Sequence, residues 1–484
     1  MRNRLYITAI IVFAAAARLY FFVGHIFSDD AYYSYLSYSF YKGDFPGHYV
    51  GYPVFLLRTG QIGLTALSYS VFGINILATA VFPLIFSVLG IILVYHFTSL
   101  ITKNKSTALI AAFLAAFFPT DVVFSTMCFP DLINAFFINL GLFLLWKAWE
   151  SKQIYLTLFS GISLFISFLF KENLYYIVIL LIILGLYLFV KKQPGFKYVL
   201  AVLSVVFVCI LGESIWYAAN QGQFFFRLNV VRANYRYSYY DFFPYTVYKD
   251  VGHSIGILPA LIYQIFIINL KSVFLRRFYL FVPLIALVSA LLNLRKRRDF
   301  LLSFWFLGLT ILLTAFTTSV MMYKPLDLHR SWYIYPLILP AVILSSILIA
   351  KFKALVKYLF IILYVIFSFV MCNQYEIYFN TVNREAFEKF VERNADKNIY
   401  ADFFTKYSID LLLNYRNEKN RKIISGNTFD FNELKKGALV VYDKNHIDEL
   451  KLQKHILPKF GELNSAEFKL IGSFGEFKVY EKIL

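Results

Sequence analysis

Long runs of apolar residues constrain the fold of this chain more than any other feature of its sequence. A membrane-spanning helix needs about 20 consecutive, mainly apolar residues, and such runs recur through most of the 484 residues. With 59% hydrophobic and only 16% charged residues, the composition is that of a polytopic membrane protein. We place eleven spans near residues 5–24, 77–101, 107–126, 131–148, 154–170, 173–190, 198–218, 278–294, 300–320, 332–350 and 355–373.

The basic residues predict the orientation of these spans. Lys and Arg accumulate in cytoplasmic loops, and here they form clusters in alternate loops, at 103–105, 147–152, 191–197, 295–298 and 351–357. These clusters fall on one side if the N-terminus is inside and the C-terminus is outside. Arg276 and Arg277 do not fit, because they flank a span on the predicted outer side.

One apolar segment, 254–270, is long enough to add a further span. A crossing there would move the basic cluster at 295–298 to the outside, which is a larger violation of the same rule. We therefore predict an interfacial or re-entrant helix within an outer loop, 219–277. That loop holds a Tyr-dense stretch at 235–241, and an earlier outer loop at 25–76 is also rich in Tyr. Both suit an aromatic belt or a sugar-binding surface.

The last quarter of the chain is more polar than the rest. Residues 374–484 mix helix-like stretches with strand-like runs at 438–442 and 477–480, which predicts a small α/β domain. The sequence thus indicates a transmembrane domain, 1–373, followed by a soluble domain on the outer face.

Charge and cysteine content exclude two other classes of protein. The net charge of +18 does not indicate nucleic-acid binding, because the basic residues lie mainly in short loops between spans. Cys128, Cys209 and Cys372 are odd in number and lie in or beside apolar segments. We expect them to be small buried apolar residues rather than a disulfide framework or a metal site.

An acidic pair, Asp29 and Asp30, follows the first span directly. Two carboxylates this close raise the pKa of at least one of them, so the pair can divide into a base and a hydrogen-bonding partner. The same positions also suit the start of a surface helix, where Asp is a favoured cap. Asp131, at the start of the fourth span, has the same two interpretations: a cap, or a further acidic group of an outer cavity.

Cations lie near the acidic residues at the predicted outer ends of the spans. Lys171 and Glu172 interrupt two apolar runs, where they form either a local ion pair or a phosphate-binding cation with an acid that orients it. Arg18 near the end of the first span, and His329 with Arg330 before the tenth, are either interfacial anchors or phosphate ligands. All these groups fall on one predicted face of the membrane.

With these residues, the chain resembles the polyprenyl-phosphate-sugar-dependent membrane glycosyltransferases of the C-type fold. Among them it is most similar to dolichyl-phosphate-mannose protein mannosyltransferases and bacterial aminoarabinose transferases. The resemblance rests on Arg18, Asp29-Asp30-Ala31-Tyr32-Tyr33, the segment from Pro119 to Asp131, Lys171-Glu172, Arg330 with Tyr335-Pro336, and Tyr400-Ala401-Asp402-Phe403. It implies that an acidic residue of the first outer loop is the catalytic base or orients the acceptor. That role falls on Asp29, with Asp30 where many members have Glu.

The resemblance implies inverting transfer of a sugar from a polyprenyl-phosphate donor to a protein, lipid or glycan acceptor. The residues it marks are Asp29, Asp30 and Asp131 for catalysis, and Lys171, Glu172, Arg330, Arg18 and His329 for the donor phosphate. The mannosyltransferases generally use no metal, whereas the related oligosaccharyltransferases hold a divalent metal on acidic groups of the same loop. A metal at Asp29 and Asp131 therefore stays open.

Two alternatives to this function remain at the level of sequence. A secondary transporter or lipid-linked-sugar flippase would be expected to show paired halves and charges at the midplane, and neither is evident. An oligosaccharyltransferase or polysaccharide ligase shares the chemistry but takes a longer donor. In either case we expect an integral protein, which we place in a prokaryotic plasma membrane with its site facing outside.

Overall fold

The structure, a computed structural model, describes residues 2–44, 53–237, 257–294, 297–315, 325–378, 381–424, 431, 434–443, 467–475 and 477–484. Most of these residues are helical, and a small sheet lies near the C-terminus. Part of the predicted Tyr-dense stretch, 238–241, lies outside the described residues.

The α-helices, in chain order, are α1 (Arg2–Tyr20), α2 (Asp29–Lys42), α3 (Thr59–Phe72), α4 (Ile76–Thr102), α5 (Lys105–Ala116), α6 (Pro119–Phe124), α7 (Pro130–Ser151), α8 (Leu156–Phe168), α9 (Leu174–Val190), α10 (Phe196–Gln221), α11 (Phe226–Tyr237), α12 (Ile257–Ile262), α13 (Leu270–Leu275), α14 (Val282–Asn293), α15 (Arg297–Ala315), α16 (Tyr335–Ala350), α17 (Ala354–Tyr378), α18 (Thr381–Arg393) and α19 (Phe403–Leu412). A π-helix, Tyr263–Asn269, joins α12 to α13, and short 3-10 turns occur at Pro53–Leu57, Arg277–Tyr279, Ser331–Ile334 and Glu418–Asn420.

The bundle presents apolar side chains outward as well as inward. Phe13 is 66% exposed and Leu355 is 80% exposed, which is unfavourable in water but suits contact with lipid. Within the described ranges, six helical segments are long and apolar enough to cross a membrane: Ile76–Thr102, Pro130–Ser151, Phe196–Gln221, Leu258–Tyr279, Ser331–Ala350 and Ala354–Tyr375. The chain is an integral membrane protein.

The predicted spans do not all appear as single long helices. The run 107–126 is divided, because α5 ends at Ala116 and α6 begins at Pro119. Proline has no N–H to donate and disfavours helical backbone in the residue before it, so the break falls there. The eleven-span count therefore stays a prediction.

The ambiguous segment 254–270 is helical from residue 257 onward. The segment meets the length and composition of a span as part of Leu258–Tyr279. Asn269 donates to the Thr314 carbonyl at 2.9 Å and to the Leu326 carbonyl at 2.8 Å, so it packs where α15 ends and the chain leads into α16. The interfacial or re-entrant form stays a prediction.

The two ends of the bundle differ in chemistry. One end, called the loop end below, carries α2, the start of α7 and the α8–α9 turn. The opposite end, called the basic end, carries the helix ends near 103–105, 147–152, 191–197 and 351–357.

A five-stranded sheet, in the order β2-β1-β3-β5-β4, completes the fold. Its strands are β1 (Ile399–Ala401), β2 (Arg421–Ile423), β3 (Leu439–Asp443), β4 (Phe468–Phe474) and β5 (Phe477–Lys482). The pairs β1–β2 and β1–β3 are parallel, and the pairs β3–β5 and β4–β5 are antiparallel.

The C-terminal region packs against the first loop. The rings of Tyr38 in α2 and Tyr415 after α19 stack at 4.0 Å. The Ser34 hydroxyl lies 2.8 Å from the Tyr415 hydroxyl and 2.6 Å from that of Tyr69. This contact holds α2 between the bundle and the sheet.

Candidate active site

The two adjacent aspartates at the start of α2 have different surroundings. Asp30 is 1% exposed; its carboxylate lies 2.7 Å from His25 Nδ1 and accepts hydrogen bonds from the Ile26 and Ser28 N–H groups at 2.7 and 2.9 Å. Burial opposes ionisation of Asp30, but His25 and these hydrogen bonds outweigh it and lower the pKa of the carboxyl. Asp30 therefore fixes the entry into α2, while the Ser28 side chain makes no capping hydrogen bond.

Asp29, in contrast, is partly exposed. Within the described part of the chain, its carboxylate accepts no hydrogen bond and forms no ion pair. Burial raises the pKa of this carboxyl, and the charges of Arg58, Arg330 and Lys171 oppose the rise. The arrangement is a carboxylate available to a ligand, with three cations close enough to act on it.

Lys171 is held by the start of α7. Its ammonium group forms an ion pair with the Asp131 carboxylate and lies 4.4 Å from the centre of the Tyr333 ring. Burial lowers the pKa of Lys171, and the neighbouring Asp131 opposes that shift. Asn134, one turn after Asp131, donates to the Ser167 and Lys171 carbonyls at 2.8 and 3.1 Å, so the same helix fixes the backbone of the α8–α9 turn.

Glu172, predicted to orient a phosphate-binding cation, contacts arginines in the structure, and its role stays a prediction. It lies 3.9 Å from Arg58 and 3.6 Å from Arg227, and Glu213 holds the Arg227 guanidinium with two contacts at 2.6 and 3.1 Å. Glu172 therefore lies between two arginines, and its contact with Arg58 links the α8–α9 turn to the start of α3.

The segment before α16 supplies Arg330 and His329. The charge of Arg330 acts on Asp29, and its guanidinium lies 5.9 Å from the centre of the Trp332 ring. His329 is exposed, and its carbonyl accepts a hydrogen bond from the Arg276 guanidinium. Arg276, which did not fit the predicted topology, thus has a local role in holding this segment at the loop end.

Arg18 lies apart from these residues. It is 0% exposed, and its guanidinium donates to Ser87 at 2.7 Å, to the Ala14 and Ala116 carbonyls at 2.9 Å each, and to Asp121 at 2.6 Å. All three of its nitrogens are bonded within the protein. The structure does not bring Arg18 to the phosphate-binding group predicted for it, and it joins α1, α4, α5 and α6 instead.

The residues near Asp29 do not form a metal-binding set. Among the described residues, no group of three or more His, Cys, Asp and Glu side chains is placed to hold an ion. Asp131, the second predicted ligand, is already paired with Lys171, and three cations act on Asp29. Positive charges in this position oppose a further cation, so no step below passes through a metal.

Four residues of this site were not identified from the sequence: His25, Arg58, Asn134 and Tyr333. One signal was present for Arg58, because it is the only Asp, Glu, Lys or Arg residue between Asp44 and Lys103. Asn134 and Tyr333 carry no comparable signal, since they join the site through contacts with residues distant along the chain. His25 lies five positions before its partner Asp30.

Comparison with known proteins places this geometry in a family context. Residues 64–216 match the family model described as dolichyl-phosphate-mannose-protein mannosyltransferase. No curated protein matches the chain. Among solved structures, ArnT from Cupriavidus metallidurans bound to undecaprenyl phosphate is similar at a TM-score of 0.60 and 11% identity, over 98% of both chains.

The oligosaccharyltransferase of Archaeoglobus fulgidus is similar as well. Its complex with Zn and sulfate gives a TM-score of 0.57 at 14% identity, over 98% of this chain and 73% of that one. Its complex with an inhibitory peptide and a dolichol-phosphate gives 0.55 at 12% identity, over 99% and 74%.

The chain has the C-type glycosyltransferase fold. The predicted resemblance is confirmed, and the family match bears out the predicted glycosyltransferase class. The structural similarity establishes the fold, while the roles of the individual site residues stay predictions.

Proposed function

We propose that the protein is an inverting glycosyltransferase that moves a sugar from a polyprenyl phosphate to a hydroxyl of a protein, lipid or glycan. One observation carries this proposal. Asp29 is a partly exposed carboxylate with no hydrogen-bond partner among the described residues, and three cations act on it. A base beside a set of cations is what transfer from a phosphate leaving group to a hydroxyl requires.

The cations serve the donor side of the reaction. The bond between the anomeric carbon and the phosphate oxygen breaks, and the phosphate leaves as an anion. Lys171, Arg58 and Arg330 stabilise that developing charge. Asp131 holds the Lys171 ammonium in place, and Glu172 does the same for Arg58. His329 lies at the exposed edge of this group.

Asp29 serves the acceptor side. Its carboxylate takes the proton of the acceptor hydroxyl as that oxygen bonds to the anomeric carbon. Because one nucleophile displaces one leaving group from the opposite face, the configuration at the anomeric carbon inverts. Asp30 is a positioning residue, since its hydrogen bonds hold the turn that presents Asp29.

The matched proteins support a lipid-phosphate donor. ArnT was solved with undecaprenyl phosphate and the archaeal enzyme with dolichol-phosphate, and both chains share the fold of this one. We place the loop end on the outer side of a prokaryotic plasma membrane, with eleven spans and the N-terminus inside. In this orientation the basic clusters lie on the cytoplasmic side, as the positive-inside rule requires. The oligosaccharyltransferase alternative is less well supported, since the acidic groups that the structure describes near Asp29 do not fit a divalent metal.

The proposal is tested by mass spectrometry of lipids and glycans from cells that lack the protein. Wild-type protein, Asp29→Asn and the matched control Asp396→Asn are each returned to these cells. Asp396 is an exposed aspartate of the C-terminal domain. We expect the deletion and Asp29→Asn to accumulate a polyprenyl-phosphate sugar and to lose one sugar mass from an acceptor, because loss of a general base costs about 10²–10⁴-fold in rate.

Two outcomes would contradict the proposal at different points. Full restoration by Asp29→Asn would exclude this carboxylate as the base. An unchanged pool of lipid-linked sugars in the deletion strain would exclude the donor class itself.

A further inference from the structure

An apolar groove opens at the basic end of the bundle, far from Asp29 along the length of α7. It encloses a cavity of about 60 Å³. Trp146 and Trp149 from α7, Trp305 from α15 and Val199 from α10 line it, together with aliphatic residues of α9 such as Leu184. Three of the five tryptophans of the chain therefore face one groove.

One residue that lines this groove has a polar atom without a partner. Trp305 is 8% exposed, and its buried indole N–H makes no hydrogen bond within the described part of the chain. A buried donor without an acceptor is unfavourable, and more so within a membrane. The groove therefore offers an apolar surface and one hydrogen-bond donor to an occupant.

Lysines lie on two segments next to the groove, the end of α7 and the α9–α10 loop. Lys147 and Lys152 flank Trp149 in sequence. Lys191 and Lys192 in the α9–α10 loop are exposed, and so is Lys197 in the first turn of α10. This loop lies directly against the groove, because a Cβ on Gly195 would come within 2.4 Å of the Trp149 ring. The nearby acidic residue Glu150 is already paired with Lys103 at 2.6 Å.

Two of these lysines occupy backbone positions that normally favour glycine. Lys152 has φ 59° and Lys192 has φ 49°, both in the left-handed region at a helix C-terminus. Glycine is the usual residue there, because a Cβ is disfavoured in that conformation. Lysine at both positions keeps positive charge next to the groove at the expense of backbone strain.

We propose that this groove binds an anionic glycerophospholipid. An acyl chain lies along the tryptophan-lined wall, the neighbouring lysines bind the phosphate, and the Trp305 N–H donates to an ester carbonyl. An apolar groove between transmembrane helices with basic residues next to it has the chemistry of an anionic-lipid site. The site is separate from the proposed sugar transfer and does not depend on it.

The test uses the tryptophans as reporters. Purified protein in neutral detergent is titrated with phosphatidylglycerol or phosphatidylcholine carrying brominated acyl chains, which quench tryptophan fluorescence on contact. We expect half-maximal quenching at a lower mole fraction of phosphatidylglycerol. In the triple variant Lys191→Gln, Lys192→Gln and Lys197→Gln, this preference falls about fivefold for each lysine that binds the headgroup, as one charge near an anionic surface contributes about 1 kcal/mol.

A matched control separates a site from general attraction to a basic surface. Lys351→Gln, Lys353→Gln and Lys357→Gln remove equal charge from the same end of the bundle and should leave the preference intact. Equal quenching by both lipids in the wild type, or an equal loss in this control, would overturn the proposal. If the first triple variant does not fold, Lys192→Gly removes one charge and relieves the left-handed strain; the same fivefold loss is expected.

The indole is tested separately with ether-linked phosphatidylglycerol, which lacks the ester carbonyls. Trp305→Phe keeps an aromatic ring and removes the donor. The wild type should prefer the ester lipid, and the variant should bind both lipids alike. Equal binding of ester and ether lipids by the wild type would exclude the hydrogen bond assigned to Trp305.

Discussion

Two adjacent carboxylates acquire different properties, one through neighbouring residues and the other through burial and residues distant along the chain. The close spacing of Asp29 and Asp30 predicted that the two carboxyl groups could take different roles. It did not predict which neighbouring groups make their pKa values differ. Asp30 is set by His25 and by two backbone N–H groups, all within five positions of it. Burial raises the pKa of Asp29, and the charges of Arg58, Arg330 and Lys171, which come from three distant segments, oppose the rise.

The raised pKa of Asp29 predicts the acid limb of the pH profile. A base is active only when deprotonated, so activity falls as the pH drops through the pKa of Asp29. Burial raises this pKa above the usual 3.8, so the loss begins at a higher pH than it does for an exposed aspartate. Arg58 lowers the pKa of Asp29, so in Arg58→Gln that pKa rises and the acid limb of kcat/KM moves to higher pH.

The measurement is kcat/KM against pH for the wild type, Arg58→Gln and the control Lys397→Gln. Lys397 is paired with Glu481 on the sheet at 2.9 Å, so its loss should leave the limb in place. A lower rate without movement of the acid limb would show that Arg58 acts on the donor phosphate alone.

The contacts of Arg18 could not be predicted at the scale of single residues. From the sequence, an arginine near the end of a span is equally well interpreted as an interfacial anchor or as a phosphate ligand. Its carboxylate partner, Asp121, lies 103 positions away in α6, a helix that exists because Pro119 interrupts the apolar run. Hydropathy did not predict the helix break between α5 and α6, which brings Arg18 and Asp121 together.

At the scale of elements, the site depends on how closely α3 approaches the α8–α9 turn. The Gly60 N–H donates to the Leu169 carbonyl at 2.9 Å, and a Cβ at Gly60 would lie 2.7 Å from the Phe170 ring. This contact keeps Arg58, two residues earlier, beside Glu172 and Lys171. The helices α8 and α9 fall within predicted apolar runs, whereas α3 lies in the segment predicted as an outer loop, 25–76. Its approach to the turn depends on a single missing side chain.

Gly60→Ala should therefore impair transfer without touching a charged residue. The added methyl group forces α3 away from the turn, at a cost typical of overpacking, about 1–3 kcal/mol. Gly63→Ala is the matched control in the same helix, since no described atom beyond its chain neighbours and the backbone of its own helix lies within 4 Å of its Cβ position. We expect a lower Tm and lower activity for Gly60→Ala only, and equal activities of the two variants would contradict this role of the contact.

For the whole molecule, the distribution of charge was the most predictive feature of the sequence. The lysine clusters predicted for one side do lie at one end of the bundle, while Asp29, Asp131, Lys171 and Arg330 lie at the other. The predicted strands 438–442 and 477–480 correspond to β3 and β5. The broken run 107–126 was not predictable from hydropathy, which does not register how a proline divides a helix.

The same distribution predicts which end faces the outside. If the basic clusters stay on the cytoplasmic side of the membrane, the sheet and the loop end lie outside and the basic end lies inside. Single cysteines at exposed sites, Lys469→Cys in β4 and Lys105→Cys at the start of α5, are introduced in a Cys209→Ala background, because the other two native cysteines are buried. In intact cells a membrane-impermeant maleimide should label only the cysteine at 469, and permeabilisation should expose the one at 105. Labelling in the opposite order would place Asp29 and its cations on the cytoplasmic side, where the donor sugar would have to be presented instead.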